Sequence, residues 1–482
     1  MHGQPDRRTK PLDRPAPSTT GLRARLARMF PPGTAFGDRL RRVGAVVLDS
    51  SAQMRAALQL PLDALVLRRL WSAGHVGIGR RAQGRRVIML VVSDLRSDPR
   101  VRREARQLAD AGYSITVIWP DTGPKQGERI DWGEGIDFVP LPTSAGRFAY
   151  HFPNFLGVDM LQAAVQQKAA GEQILAFHAH DLTTMLVALI AGRQSGAHVV
   201  ADHHEWFSQS VVWANRRSLY VPIGPVRRWL YRWLEALVLK HASITLTVCD
   251  SIAQEMAEEV TGGSARKVAV VRNIPGHEEA NRHAMPNLRT DLGIGVHQQL
   301  IAYQGGIGPS RALEPAIRAL AYAPGSCLMI RGPNLEAYAN HYRAVAVQAG
   351  VSDRLFLLPP VASQDVVAAL NGADIGLYTV EGFCKSAIYA LPNKVFEYLH
   401  AGLPVLTVDY PEVRKLLVDN HVGLGFAGND PQSIGRAMRE MAEPGRRAAL
   451  AAAIPAVLAA NQTDAEWQKL VALYDALPRS GP

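Results

Sequence analysis

Runs of apolar residues alternate with amphipathic segments from residue 86 onward. The run RVIMLVVSD (86–94) is almost continuously apolar and rich in β-branched residues, which is the pattern of a buried parallel strand. DPRVRREARQLADAG (98–112) follows as an amphipathic helix that Gly112 ends, and YSITVIWP (113–120) is a second strand. These three segments predict a βαβ unit, whose parallel strands require a right-handed crossover and a helix-covered sheet.

The same alternation continues in two series that a linker separates. Further strands are predicted at 173–181, 197–205, 242–250 and 267–275, then at 299–308, 327–332, 355–360, 373–380 and 404–410. Residues 276–297, with Gly, His, Asn and Pro, are the predicted linker. We therefore expect an α/β protein with two doubly wound Rossmann-like domains, at 86–280 and 298–455, facing a cleft. Residues 456–482 are predicted to be a C-terminal helix, and its return to the first domain is one option.

Length and composition agree with a folded protein of two domains. The chain has 482 residues, of which 47% are hydrophobic, which excludes a wholly disordered protein. The three cysteines, Cys249, Cys327 and Cys384, are too few and too scattered for a disulfide framework or a cysteine-based zinc site. Neither a membrane-spanning apolar run of about 18 residues nor a secretory signal is recognised. These features predict a cytoplasmic location.

Positive charge is concentrated at the amino terminus. Residues 1–86 contain 17 Lys and Arg against five Asp, whereas the whole chain has a net charge of +10, so the remainder is close to neutral. Residues 1–85 are predicted to be a basic extension, disordered at 1–20 and partly helical at 21–30 and 43–71. Such basic amphipathic helices bind anionic membranes, here at the inner face; a solvated linker or a packed helix is the alternative. Nucleic acid is not expected as a partner, because no recognition fold accompanies the charge.

A family resemblance is carried by several motifs between residues 86 and 475. They are SDPRVRREARQLADAGYSITVI, FHAHD and ADHHEWF in the first domain, and YQGGIGPSRALEPAIRAL, LMIRGPN and LPNKVFEYLHAGLPV in the second. The chain resembles the GT-B glycosyltransferases, and within them the retaining family 4 of group 1. The resemblance implies hexosyl transfer from a nucleotide diphosphate sugar to a sugar or lipid-linked acceptor, as in polysaccharide or glycoconjugate assembly, without a metal or other cofactor. One departure stands out: the family motif Glu–seven residues–Glu would begin at Tyr389, and only its second member, Glu397, is present.

Candidate donor-binding residues lie in the second domain. A departing diphosphate needs fixed cations and helix N-termini, and Arg311 and Lys394 each stand at a predicted helix start. The resemblance assigns both to the phosphates and Glu397 to the ribose hydroxyls. The alternatives are solvated surface charges and a plain i,i+3 pair between Lys394 and Glu397. The predicted donor-binding residues are Gly305, Gly306, Arg311, Gly332, Lys394 and Glu397.

Histidines and carboxylates end two predicted strands of the first domain, where parallel strands face a cleft. His178 and His180 share one face of their strand, because alternate residues point the same way. Imidazole with carboxylate suits zinc or manganese, but the sequence has no Asp-x-Asp pair and the resemblance implies no metal, so none is predicted. The resemblance favours His180 near the donor sugar, beside Asp181. The catalytic candidates are His180, Arg311 and Lys394, and the acceptor-side candidates are Asp202, His204 and Glu205.

Tryptophan and arginine are interleaved within residues 205–240, which hold four of the eight tryptophans. This combination is typical of a membrane interface, where rings lie at headgroup depth and arginine meets phosphate. The alternative is that Trp229 and Trp233, four residues apart, belong to the buried stripe of an ordinary helix. Both interpretations are open at this point.

Three functions compete on the sequence alone. The first is a retaining transferase, for which a front-face route is predicted because no carboxylate occupies position 389 as a nucleophile. The second is a GT-B nucleotide-sugar epimerase, which would need further acid and base carboxylates in the cleft. The third is a catalytically silent scaffold that binds sugar nucleotides, and Tyr389 is the feature that supports it.

Overall fold

Two parallel sheets covered by helices form the protein, as predicted. The computed structural model describes residues 69, 71–72, 76–121, 125–141, 158–167, 173–214, 219–261, 268–275 and 285–479. Of the predicted basic extension, residues 1–68, 70 and 73–75 lie outside the described part, and the predicted disordered segment 1–20 and helix 21–30 are among them. Strands alternate with helices in both domains, which confirms the α/β class and the pair of Rossmann-like domains.

The first domain contains a sheet of seven parallel strands among the described residues, in the order β3-β2-β1-β4-β5-β8-β9. Its main strands are β1 (Arg86–Leu90), β2 (Ser114–Pro120), β3 (Ile136–Leu141), β4 (Ile174–His180), β5 (His198–His203), β8 (Ile244–Thr247) and β9 (Ala269–Val270). The antiparallel hairpin β6 (Val211–Ala214) and β7 (Leu219–Pro222) stands apart from it. The helices are α1 (Pro99–Asp110), α2 (Val158–Gln166), α3 (Leu182–Ser195), α4 (Pro225–His241) and α5 (Asp250–Thr261).

The second domain has six parallel strands in the order β12-β11-β10-β13-β14-β15 among the described residues. They are β10 (Gln299–Gln304), β11 (Ser326–Arg331), β12 (Leu355–Leu358), β13 (Ile375–Tyr378), β14 (Val405–Val408) and β15 (Gly423–Phe426). The helices are α6 (Leu288–Asp291), α7 (Leu313–Ala319), α8 (Leu335–Gln348), α9 (Lys385–Ile388), α10 (Asn393–His400), α11 (Pro411–Val413), α12 (Pro431–Ala442), α13 (Pro444–Ala460) and α14 (Thr463–Asp475).

Burial explains why the strands could be predicted. Every residue of β4, β10 and β11 is buried, because helices cover both faces of each sheet. Helix α3 is apolar on all sides, and ten of its fourteen residues are buried. None of the described helices is both long and apolar enough to cross a membrane.

The C-terminal helix α14 packs against the first domain. Trp467, Leu470 and Tyr474 join the core that lies between α1 and the first sheet. The Tyr113 hydroxyl donates to Asp475 Oδ1 at 2.6 Å, and the Tyr474 hydroxyl lies 2.9 Å from Nδ1 of His178. The last turn of α14 therefore contacts strand β4, which contains His178 and His180.

The structure differs from the prediction between residues 205 and 240. The sequence after residue 205 predicts a long helix up to Lys240. Instead, the chain forms a 3-10 turn (Phe207–Gln209), the hairpin β6–β7, and then α4, which Pro225 begins. Trp229 and Trp233 are 61% and 41% exposed, so the buried-stripe interpretation is wrong for both. The segment QDVVAAL (364–370), whose sequence predicts a helix, forms two short 3-10 turns, and the strands β3 and β15 were not predicted.

Candidate active site

The carboxyl ends of the strands of both sheets border a cavity of about 550 Å³ between the domains. Parallel α/β sheets bind ligands at this end, because loops and helix N-termini converge there. The wall contains charged groups from both domains: Arg100, His204, Glu205, Arg311 and Glu381.

Two glycine loops shape the second-domain side of the site. Gly305 and Gly332 follow β10 and β11 and have φ angles of +142° and +156°. A Cβ atom on Gly332 would lie 1.8 Å from the carbonyl oxygen of Gly305, so the two loops can cross only because no side chain intervenes. A Cβ on Gly306 would meet nothing within 4 Å, which leaves its backbone accessible to a ligand.

Lys394 is the second residue of α10, and its side chain points toward the glycine loop. Its Nζ donates to the Tyr303 hydroxyl at 2.9 Å and lies 4.2 Å from the centre of that ring. A Cβ on Gly305 would lie 2.9 Å from the same nitrogen. Burial, and then the charge of Arg311, lower the pKa of Lys394 to about 7. Among the described residues Lys394 forms no ion pair with a carboxylate, so an anionic ligand would complete its surroundings.

Arg311 and Glu397 flank Lys394. Arg311 ends the 3-10 turn Pro309–Arg311, its side chain lines the cavity, and its carbonyl accepts a hydrogen bond from the Thr379 hydroxyl at 2.6 Å. Glu397 lies one turn after Lys394 in α10; burial raises the pKa of its carboxyl, and the charge of Lys394 opposes the rise. The structure thus places Gly305, Gly332 and Lys394 close together, and Arg311 and Glu397 are near enough to influence the pKa of Lys394. Of the six predicted donor-binding residues, Arg311 lines the cavity and the other five do not.

A charged network forms the first-domain side. Arg100 Nη2 donates to both carboxylate oxygens of Asp202, at 2.9 and 2.8 Å, and Nε2 of His204 lies 3.0 Å from Asp202 Oδ2. The backbone N–H of His204 donates to Asp181 Oδ1 at 3.0 Å. Although burial opposes the charged form, the carboxylates of Asp181 and Asp202 raise the pKa of His204 to about 9. At neutral pH the cavity therefore contains a protonated imidazole.

His180 lies one layer behind the cavity wall. Its side chain is 2% exposed, its Nδ1 is 3.3 Å from His204 Nε2, and it does not line the cavity. Its ring stacks on that of His178 at 4.3 Å, which matches the shared strand face predicted for the pair. Burial lowers the pKa of both rings, that of His178 to about 4. The structure places His204, and not His180, in contact with the cavity.

Four buried groups are of the kinds that ligate metal ions. One potential ligand atom from each of Glu104, His178, His180 and Asp202 lies within 4.8 Å of the others. Arg100 stands among them, with its Nε 2.9 Å from Glu104 Oε1 and its Nη2 on Asp202. The guanidinium already supplies positive charge to both carboxylates, so a divalent ion would have to share them with a fixed cation.

Tyr389 faces the first domain. Its hydroxyl donates to Glu255 of α5, and Lys385 Nζ lies 2.5 Å from oxygens of Glu255 and Glu259. The Cys249 thiol donates to the Tyr389 carbonyl at 3.2 Å. At the position where the resemblance leads one to expect a sugar-binding carboxylate, this chain therefore has a contact between the domains.

Sequence reasoning missed most of the cavity wall, including the charged residues Asp98, Arg100 and Glu381. Arg100 lies in the first turn of α1, and only the fold shows that it meets Asp202. Glu381 lies three residues after β13 and directly follows the predicted strand 373–380, which was an available signal.

Comparisons with known proteins show the family to which both domains are similar. Residues 97–274 match the family described as Glycosyl transferase 4-like domain, and residues 310–444 match Glycosyl transferases group 1. D-inositol 3-phosphate glycosyltransferase of Corynebacterium urealyticum is 23% identical over 412 residues, which cover 78% of this chain and 90% of that protein. The enzyme of the same name from Mycolicibacterium smegmatis is 25% identical over 284 residues, which cover 50% of this chain and 62% of that protein.

Solved structures share the fold at lower identity. Sucrose-phosphate synthase from Thermosynechococcus elongatus aligns with a TM-score of 0.64 at 15% identity, over 82% of this chain and 99% of that one. HepE from Anabaena, solved with UDP and glucose, aligns with a TM-score of 0.61 at 13% identity, over 82% and 100%. The chain belongs to the group 1 glycosyltransferases of the GT-B fold, and it is a glycosyltransferase.

Proposed function

We propose that this protein transfers a sugar from a nucleotide diphosphate sugar to an acceptor, with retention at the anomeric carbon and without a metal ion. The observation that carries the proposal is the pairing of Lys394 and Arg311 beside the crossed loops of Gly305 and Gly332. These two cations and the accessible backbone of Gly306 suit a diphosphate, whose negative charge grows as the sugar leaves.

The donor would lie with its diphosphate against the second domain. Glu397, half-buried near Lys394, supplies a carboxylate for the ribose hydroxyls. The Anabaena protein HepE was solved with UDP-glucose, so a uridine diphosphate sugar is the first donor to test. In this arrangement the sugar points toward His204 and Glu205 across the cavity.

Transfer would proceed on one face of the sugar. The bond from the anomeric carbon to the phosphate oxygen breaks, and the acceptor oxygen forms its bond on the same side. The acceptor proton passes to an oxygen of the departing phosphate. His204, protonated at neutral pH, would donate a hydrogen bond to a hydroxyl of the sugar, and His180 positions the His204 ring from behind. Tyr389 supports this route, because its side chain contacts Glu255 instead of offering a nucleophile to the sugar.

The acceptor would approach from the first domain. Asp202 is held by Arg100 and is therefore a framework group, whereas Glu205 lines the cavity and is the candidate for an acceptor hydroxyl. The basic amino-terminal extension supports an acceptor at an anionic membrane surface, such as a lipid-linked sugar used in glycoconjugate assembly.

A donor screen tests the proposed function. Release of nucleotide from a panel of sugar nucleotides would be measured with and without membrane extract as acceptor. We expect one donor to be turned over, and Lys394→Ala or Arg311→Ala to lower the rate by about 10²-fold or more. Arg343→Ala, which changes an exposed cation of α8, is the matched control and should leave the rate unchanged. Normal turnover in either site variant would contradict the assignment.

One observation favours a second candidate. Because Tyr389 replaces the expected carboxylate and engages the first domain, a scaffold that binds nucleotide sugars without turnover is consistent with the site. Tight binding of a donor, with no release of nucleotide for any acceptor, would favour the scaffold over the transferase.

A further inference from the structure

Helix α4 (Pro225–His241) presents one face to the protein and a different one outward. Leu230, Leu234 and Val238 are buried against the first domain. Trp229 and Trp233 point outward on successive turns, with 61% and 41% of their surfaces exposed. Single exposed apolar residues are common, but two tryptophans on adjacent turns of one helix form a continuous apolar stripe.

Cations surround this stripe. Arg228, Arg232 and Lys240 are exposed on the same side of α4. The one acidic residue of the helix, Glu235, is fully buried and accepts a hydrogen bond from the backbone N–H of Ser208 at 3.0 Å. The outer face of α4 therefore combines aromatic rings with positive charge and carries no acidic side chain. This distribution is typical of a helix that lies at a membrane surface, with rings at headgroup depth and cations near phosphate.

The position of α4 relates this face to the cavity. Arg228 Nη2 donates to Gln209 Oε1 at 2.8 Å, and Gln209 follows the cavity residues His204 and Glu205 closely in the chain. The hairpin β6–β7, which directly precedes α4, contributes Tyr220 to the cavity wall. The start of α4 thus lies near the first-domain wall of the cavity.

The other end of α4 meets the chain that arrives from the basic extension. The Trp71 ring packs edge-on against His241, the last residue of α4, with 5.1 Å between ring centres. Arg193 Nε donates to the Trp71 carbonyl at 2.8 Å. Trp71 therefore lies beside the last turn of α4, and the sequence that precedes Trp71 is rich in arginine.

We propose that the outer face of α4, consisting of Arg228, Trp229, Arg232, Trp233 and Lys240, is a docking surface for an anionic phospholipid bilayer. An anionic partner is favoured because every charged side chain on this face is basic. The amino-terminal sequence of the chain is also basic. The inference goes beyond the proposed transferase activity, because it holds whichever sugar is transferred. Docking through α4 would bring the first-domain entrance of the cavity close to the membrane.

Vesicle binding of the full-length chain tests this surface. The probe is a set of vesicles of phosphatidylcholine with phosphatidylglycerol, compared with pure phosphatidylcholine, and binding is measured by co-sedimentation over a salt series. We expect Trp229→Ala/Trp233→Ala to weaken binding to the anionic vesicles by about ten-fold. Binding of the wild type should fall steeply with salt, and brominated lipid should quench its tryptophan fluorescence more than that of the variant.

Matched controls separate docking from general surface effects. Arg343→Gln/Val347→Ser changes one cation and one exposed apolar residue on α8 of the second domain, and it should bind vesicles like the wild type. Nucleotide release in solution should be unchanged in the tryptophan variant, because neither ring lines the cavity. Equal vesicle binding by wild type and the tryptophan variant would overturn the proposal. So would a wild-type dimer, detected by sedimentation, that the variant disrupts without any loss of vesicle binding.

Discussion

Replacing Lys394 by methionine should make the protein more stable and lower its affinity for the donor. The ammonium group is buried beside Tyr303, where its pKa is about 7 against an ordinary value of 10.5. At about 1.4 kcal/mol for each unit of pKa, holding the charge in this environment costs about 5 kcal/mol. The unfolded chain binds more protons between these two pKa values, so the stability cost is fully present below about pH 7 and disappears as pH rises toward 10.5. Lys394→Met should therefore raise the free energy of unfolding at pH 7 by up to about 5 kcal/mol, measured by urea denaturation.

The same pKa predicts how donor binding depends on pH. A bound diphosphate favours the protonated amine, so the wild type should take up close to one proton when it binds donor at pH 8. The dissociation constant should then be about ten-fold larger at pH 8 than at pH 6. Calorimetric titration in two buffers of different ionisation enthalpy measures both quantities. A nucleotide sugar is the suitable ligand, because its diphosphate has no terminal proton that titrates in this range.

Lys394→Met is the matched variant for this experiment. It should bind donor weakly at every pH between 6 and 8 and take up no proton, because methionine cannot titrate. A wild type without proton uptake, or a variant that keeps the pH dependence, would refute the argument that Lys394 receives the diphosphate. A variant less stable than the wild type at pH 7 would refute burial of the charged amine as the cause of the low pKa of Lys394.

Three further predictions concern other parts of the molecule. Deleting residues 1–68 should reduce co-sedimentation with anionic vesicles and leave nucleotide release in solution intact; unchanged sedimentation would exclude the extension as a membrane contact. His180→Ala should lower kcat by at least ten-fold and change the nucleotide affinity by less than about three-fold, because the His180 ring contacts His204 and not the nucleotide. Steady-state kinetics and binding titration measure the two quantities, and a variant with normal kcat but weakened nucleotide binding would contradict this role. Lys385→Ala/Tyr389→Phe should increase the radius of gyration in small-angle scattering, since both contacts to α5 are lost, and an unchanged radius would show that they do not hold the domains together.

The sequence was sufficient to predict most strands of both sheets, because these strands are buried on two faces and therefore appear as continuous apolar runs. It was not sufficient for β3, an edge strand that is only partly buried. It was not sufficient for the hairpin β6–β7, whose short strands contribute to neither of the two main sheets. Strand β15 contains two glycines in four residues, so its sequence gives little indication of a strand.

The candidate site shows the same division between local and tertiary information. Strand periodicity correctly placed His178 and His180 on one face. It could not show that His204, from the neighbouring strand end, covers His180 on the cavity side, because that depends on the turn after Asp202. The sequence likewise revealed the unusual Tyr389, but only the packing of α9 against α5 shows which group it contacts.

The anomeric configuration of the product tests the central proposal most directly. The donor selected by the release screen would be incubated with enzyme and acceptor, and the new linkage would be assigned by NMR from the coupling at the anomeric proton. The proposal predicts that product and donor share the same configuration, and that mass spectrometry of the quenched enzyme shows no added sugar. An inverted product would contradict retention, and a sugar covalently attached to the protein would contradict front-face transfer.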